Sequence, residues 1–220
     1  MRSELDRADR SASTYEPIGS RIMSPLPNTV LYSPRFTLQP FRRRDVGAVD
    51  EAVLASLPEL ARFLPWATDH YTRSVTQQFI RESAGAWSEG RAYDFAIRRD
   101  VQPDHHLGNV SIWYVSRANS VGEVGYWVRT DATSKGICTE AVARILRFGF
   151  EDLDLHRIVV RIAVGNLASE RVAEKLGFNR EGTLRDDVRV GADWLDHSIW
   201  GLLDREWRTE QHRYRSEAWI

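Results

Sequence analysis

Gly125-Tyr126-Trp127-Val128, followed beyond Arg129-Thr130-Asp131 by Thr133-Ser134-Lys135-Gly136-Ile137-Cys138-Thr139-Glu140-Ala141, is the stretch from which the rest of the chain can be read. The first run is aromatic and β-prone. The second opens on small residues and then spaces apolar side chains at Cys138, Ala141, Val142, Ile145 and Phe148, one face of a helix. Together they read as strand, tight loop and helix N-terminus. The first turn of a helix has backbone N–H groups with no intrahelical partner and the positive end of the dipole, a combination that suits phosphate. Gly136 allows close backbone approach and Lys135 adds a charge. A plain turn is the competing reading, and the spacing fits neither G-x-x-x-x-G-K-[ST] nor G-x-G-x-x-G.

Upstream, Arg35–Phe41 alternates apolar and polar residues as a strand does. Asp45 is placed to cap a helix reaching about Ser56, with Val46, Val49, Ala52 and Val53 on one side. Leu57-Pro58 interrupts it, and a short helical piece with Leu60, Phe63 and Leu64 ends at Pro65-Trp66. Ser74 with Gln77 predicts a capping box at the start of a helix running to Gly90. Tyr93–Arg98, Leu107–Tyr114 and Glu123–Val128 are three strands with short polar connections, hence an antiparallel meander. His105-His106 falls in one of the turns.

Downstream, the helix of the opening stretch ends near Phe150–Leu153. Arg157–Val164 is the most strand-like run, with Ile158, Val160, Ile162 and Val164 on one face and Val159 and Ala163 on the other, as in a central strand. Strand, helix and strand in this order imply a parallel crossover and a mixed sheet. A helix over about Leu167–Leu176 closes at Gly177. Glu181–Val190 and Trp194–Leu203 bracket Gly191-Ala192-Asp193 as a hairpin. Residues 1–29 mix charge, Ser and Pro without a period and read as an extension; 30–207 read as one domain and 208–220 as a tail.

The 220 residues carry a formal net charge of −1, which gives no field for nucleic acid or membrane partners. One cysteine allows no internal disulfide and suits the cytosol. No apolar run approaches the ~18 residues of a membrane helix, and no apolar core follows the charged N-terminus as in a signal peptide. The cytoplasm is the expected compartment, and no spacing points to a metal site.

Asn166 and Ser169 follow the central strand at the start of a helix, where either side chain can cap a free N–H. The loop Thr133–Cys138 resembles the coenzyme A loop [QR]-x-x-G-x-[GA] of the GNAT acetyltransferases, keeping the central Gly136 but departing at both ends, with Thr133 in place of Gln or Arg and Cys138 in place of Gly or Ala. Gly125-Tyr126-Trp127, the loop, Leu155-His156-Arg157-Ile158, and the run Asn166-Leu167-Ala168-Ser169 through Gly177-Phe178-Asn179-Arg180-Glu181-Gly182 occur in the order of the RimJ/RimL-type branch. The resemblance, over about Phe36–Trp207, implies an α+β (mixed α/β) fold. Its central sheet is mixed, mostly antiparallel and splayed, with about seven strands flanked by helices. It implies acetyl-CoA as cofactor. The pantetheine arm would lie in the splay against the backbone of Trp127 and Val128, the pyrophosphate on the N–H groups of Lys135, Gly136, Ile137, Cys138 and Thr139, and Asn166 near the thiol end.

Acetyl transfer from a thioester to an amine needs deprotonation of the amine, stabilisation of the carbonyl oxygen and protonation of the leaving thiolate. A backbone N–H near Val128 suits the oxygen. Other GNAT branches place an acidic Tyr where this chain has Ala173, and the resemblance points to Ser169 instead. Glu123 or a water chain is the base. Cys138 reads as a small packing residue. Trp66 and Trp113 are the acceptor-groove residues. The resemblance implies a protein α-amine as acceptor, on a ribosomal protein. A small-molecule amine (an antibiotic or aminoacyl-nucleotide) and a non-catalytic acyl-CoA-binding module are the other readings, and the C-terminal strand pair with its tail is the expected edge of a homodimer.

Overall fold

Alternating apolar side chains drive the middle of this chain into strands, and two amphipathic segments then return across them. The computed structural model describes residues 29–99 and 102–220; the expected extension over 1–29 lies outside them apart from Thr29. In chain order, β1 (Leu31–Tyr32) and β2 (Thr37–Pro40) precede α1 (Val46–Leu54), α2 (Leu57–Leu60) and α3 (Arg73–Ser88). The meander β3 (Ala92–Arg99), β4 (Gln102–Ser116) and β5 (Val121–Val128) leads into α4 (Ile137–Arg147). β6 (Arg157–Ala163), α5 (Leu167–Lys175), the hairpin β7 (Asn179–Val190) and β8 (Asp193–Leu203), and α6 (Asp204–Ser216) follow.

The strands form one eight-stranded sheet in the order β1-β2-β3-β4-β5-β6-β8-β7. Every neighbouring pair is antiparallel except β5 and β6, as the crossover through α4 requires. The mixed, mostly antiparallel sheet is thus the expected one, with the two-residue β1 added at its margin. The parallel pair is short. Val121, Gly122 and Glu123 face Arg157, Ile158 and Val159, and beyond them the two strands part. β5 stays paired with β4 to Val128, and β6 with β8 to Ala163. The splay therefore opens between two strands that are each held firmly from the other side.

One apolar layer lies between the sheet and α4, where Val124, Ile158, Val160 and Ile162 meet Ala141, Val142 and Ile145. A second lies on the opposite face, where Val49, Ala52 and Val53 of α1 and Ile80 of α3 cover Phe41, Ala96 and Trp127. Most residues of the helical stripes read from the sequence are buried, while Val46, Phe63, Leu64 and Cys138 are half-buried.

Four local expectations are corrected. Asp45 does not cap α1; it ends a 3-10 turn, accepts the Arg42 N–H at 2.7 Å and pairs with the buried Arg98 at 2.9 Å. α3 begins at Arg73 with Thr72 as N-cap, because the first turn closes through the Thr72 carbonyl to the Val75 N–H; Ser74 bonds the Thr72 hydroxyl and builds no capping box. Val164 is 53% exposed, since β6 ends one residue earlier and the chain turns there. His105 and His106 lie within β4, whose pairing with β3 continues to Gln102. His106 is fully buried, and desolvation lowers its pKa to about 3, so it is a neutral core residue bonded to Asn109.

The stretch read as a tail contains most of α6. Trp207 stacks on Phe150 with ring centroids 5.7 Å apart, and the buried Tyr214 hydroxyl donates to the Leu176 carbonyl at the end of α5 at 2.5 Å. Filling this part of the core with Trp207 predicts that Trp207→Ala costs about 3–5 kcal/mol. Tyr214→Phe, which strands a buried carbonyl, is expected to cost about 1–3 kcal/mol. Urea unfolding of both variants measures this; changes within ~0.5 kcal/mol, the usual range for surface positions, would mean that α6 is not part of the core.

Candidate active site

The site is built where β5 leaves the sheet. After Val128 the chain makes a 3-10 turn over Thr130–Ala132. The Thr133 hydroxyl donates to the Thr130 carbonyl at 2.8 Å, and the Lys135 ammonium to the Asp131 carbonyl at 2.7 Å. Ser134 (φ 59°) and Gly136 (φ 74°) both take left-handed backbone, which folds the loop tightly against the start of α4. The Glu140 N–H bonds the Gly136 carbonyl at 3.1 Å, so the N–H groups of Ile137, Cys138 and Thr139 precede the first intrahelical bond. Gly136, at the N-cap, has no side chain to cap them.

A cleft of about 540 Å³ opens here. Tyr126, Trp127 and Val128 of β5 form one wall, Gly136 to Thr139 line the end, and Asn166 and Ser169 face them from the start of α5. The structure thus brings together Trp127, Val128, Gly136, Ile137, Cys138, Thr139, Asn166 and Ser169. Lys135 is not among the lining residues, its ammonium being folded back onto Asp131. β4 runs so close to β5 that a Cβ on Gly108 would sit 2.1 Å from the Trp127 carbonyl oxygen, which fixes the backbone of this wall.

Asn166 is the N-cap of α5 and accepts the Ser169 N–H at 3.2 Å. This cap orients the Ser169 side chain, whose Oγ lies 2.8 Å from the Tyr126 hydroxyl. Burial drives the Tyr126 pKa well above its usual value, partly offset by the Ser169 bond. Tyr126 is therefore a protonated phenol across the neutral range. Sequence reasoning missed it as a site residue. Strand alternation puts it on the face opposite Trp127, but its partner stands 43 residues further on and is fixed only by the crossover.

Cys138 lines the cleft, yet burial pushes its thiol up to about 12. It is uncharged at neutral pH and a poor nucleophile.

Glu123, Trp113 and Trp66 do not line the cleft. Glu123 and Trp113 are direct cross-strand partners, so they share the Trp127 face of the sheet. The Trp113 indole lies 3.1 Å from where a Gly125 Cβ would stand. Glu123 is 7% exposed and accepts from Arg161 Nε at 2.9 Å. Arg161 also reaches Asp187 at 3.3 Å, and His197 stands 3.7 Å from that carboxylate. The Arg161 pKa is raised, chiefly by its bond to Glu123. Trp66 is partly exposed, with ring centroids 6.1 Å from Trp127 and 5.9 Å from Tyr71. Two sets of groups thus flank β5: Tyr126 with Ser169 on one face, Glu123, Trp113 and Trp127 on the other.

Among the described residues no cluster of three or more His, Cys, Asp or Glu is placed to hold a metal ion, and no helix is long and apolar enough to cross a membrane.

The sequence matches the acetyltransferase (GNAT) domain family over residues 35–179. It is 28% identical over 182 residues to YdaF of Bacillus subtilis (strain 168), which carries a provisional ribosomal N-acetyltransferase name; the match covers 80% of this chain and 94% of that one. It is 23% identical to the ribosomal-protein-serine acetyltransferase of Escherichia coli (strain K12), over 76% of this chain and 97% of that one. Among solved structures, Mycobacterium smegmatis RimJ in complex with a CoA-disulfide superposes with a TM-score of 0.75 at 26% identity, covering 86% of this chain and 93% of that one. With residues 35–179 matched to the domain and the splayed sheet in place, the protein belongs to the GNAT acetyltransferase family.

Proposed function

We propose that the protein is an acetyl-CoA-dependent N-acetyltransferase whose acceptor is a protein N-terminal α-amine, of the ribosomal-protein type. The observation that carries the reading is the parting of β5 and β6 after Glu123 and Val159, in a cleft that ends at the uncapped N–H groups of Ile137–Thr139. An extended amide-bearing arm finds strand backbone on the cleft wall, and a pyrophosphate finds a helix N-terminus. The residues present therefore fit coenzyme A: Trp127 and Val128 for the arm, Gly136 to Thr139 for the pyrophosphate, Asn166 near the thiol. Acetyl-CoA supplies the activated acetyl group as a thioester.

Ser169 Oγ–H donates to the departing sulfur, and the proton passed to the thiolate is replaced on Oγ from water in the open cleft. The Tyr126 hydroxyl reaches the Ser169 carbonyl at 3.3 Å and Ser169 Oγ at 2.8 Å; in the arrangement where its single proton goes to Oγ, the serine's own proton is free to point into the cleft. Because its pKa is raised, Tyr126 keeps that proton throughout the working pH range. A backbone N–H near Val128 stabilises charge growing on the carbonyl oxygen. The amine proton goes through water to Glu123, on the Trp127 face of β5, with Arg161 holding the carboxylate in place. The ribosomal-protein names of the relatives support the choice of acceptor, and the partly exposed Trp66 beside Trp127 offers an aromatic seat for the first residues of a peptide. A cytoplasmic location follows from that choice.

Three outcomes are expected. Ser169→Ala lowers turnover by about 100-fold or more, while coenzyme A binding measured by calorimetry stays within about twofold; equal loss of both would make Ser169 a structural cap only. Cys138, protonated below its raised pKa, reacts slowly with iodoacetamide at neutral pH, and Cys138→Ala retains turnover; rapid labelling or loss of turnover would contradict the assignment. With isotope-labelled acetyl-CoA and a panel of peptides and small amines, label appears on free peptide N-termini and vanishes when these are blocked. Label confined to small amines would replace the reading by a detoxifying one, and coenzyme A binding with no transfer to any acceptor would replace it by a binding module.

A further inference from the structure

We propose that Arg35 is the positioning residue of the anion-binding end of α4. It acts by neutralising Glu140 and by holding the loop that precedes the helix. This rests on the reading of the cleft as a coenzyme A site.

Glu140 lies in the first turn of α4, is 1% exposed, and is a carboxylate at the helix end proposed to receive a pyrophosphate. A helix dipole favours an acid there, but that same acid opposes a second anion at the helix end. Arg35, 105 residues away in the turn before β2, meets it on both oxygens. The Arg35 backbone N–H donates to Oε1 at 3.0 Å and Nε to Oε2 at 2.5 Å. On its other edge the guanidinium donates from Nη1 to the Lys135 carbonyl at 3.0 Å. Its Nη2 stands 3.2 Å from where a Cβ on Gly136 would be. One planar group thus bridges the residue before the left-handed glycine and the acid of the first helical turn.

Two effects follow from the geometry. Pairing cancels the buried charge of Glu140, so the helix end presents a net positive potential to phosphate. Anchoring the Lys135 carbonyl keeps the Ser134–Gly136 backbone in the shape that leaves the N–H groups of Ile137–Thr139 uncapped. The Lys135 ammonium does not perform this task, because it is bonded to Asp131. The Arg35 side chain is half exposed, so its free edge remains in water beside the loop.

The test uses the full chain with two probes, coenzyme A and its pantetheine fragment, which lacks the phosphates. Binding is read by calorimetry, and folding by melting temperature and circular dichroism. Arg35→Gln is expected to weaken coenzyme A by about 10- to 100-fold, the scale of a lost charge-assisted contact, and to leave pantetheine within about twofold. Adding Glu140→Gln to that variant removes the stranded charge and is expected to restore most of the affinity. Arg35→Lys, which keeps the charge without the fork, falls between. Should Arg35→Gln fail to fold, the Arg35→Gln/Glu140→Gln pair and Arg35→Lys carry the test. Equal weakening of both probes, or a double variant that folds but binds coenzyme A no better than Arg35→Gln, would overturn the proposal in favour of a structural strut. Failure of the unaltered protein to bind coenzyme A would overturn the underlying reading of the cleft, and this proposal with it.

Discussion

The parallel contact between β5 and β6 lasts for three residue pairs, and the rest of the molecule depends on its being so short. A buried backbone N–H or C=O left without a partner costs free energy comparable to a lost hydrogen bond. Two strands can part inside a sheet only if the groups they release find solvent or a ligand. Here each strand keeps its outer neighbour along its full length, so neither frays. The cleft beside the opening has β5 as one wall and the start of α5, which follows β6, as the other. α4 is the crossover that makes the pair parallel, and the same connection delivers a helix N-terminus to the end of the opening. One topological feature therefore yields both an opening edged by strand backbone and a helix N-terminus beside it.

Strand alternation divides the labour along β5. Tyr126 faces Ser169 of α5, while Trp127 faces the layer built by α1 and α3 and Glu123, on the same face of β5, pairs with Arg161. One face of β5 thus carries a pair of hydroxyls, and the other a carboxylate and aromatic rings. The N-cap bond from Asn166 and the Tyr126 hydroxyl hold Ser169 from two directions. Its local structural role and its proposed chemical role use different atoms, the N–H and the Oγ, so neither excludes the other.

Much of this was legible from side-chain periodicity. The meander, the central strand, both helices that flank the opening and the closing hairpin follow from the apolar patterns of β3 to β8, and the glycine loop before α4 follows from its small residues. What was not legible depended on contacts far apart in sequence. The Tyr126–Ser169 and Arg35–Glu140 bonds join residues 43 and 105 positions apart, and no local pattern marks them. The burial of α6 was hidden because Trp207 and Tyr214 are isolated in a strongly polar segment; two large rings at seven-residue spacing suffice to dock it. Lys135 was read as a charge for phosphate because position alone does not reveal that its ammonium is committed to a backbone carbonyl.

The measurement that tests the central claim most directly is amide hydrogen exchange of the full chain with and without coenzyme A. If the opening between β5 and β6 is the cofactor slot and the start of α4 its phosphate seat, protection on binding concentrates in the segments holding Trp127–Val128 and Ile137–Thr139. Coenzyme A bound by calorimetry, with those segments unchanged and protection concentrated elsewhere, would contradict it.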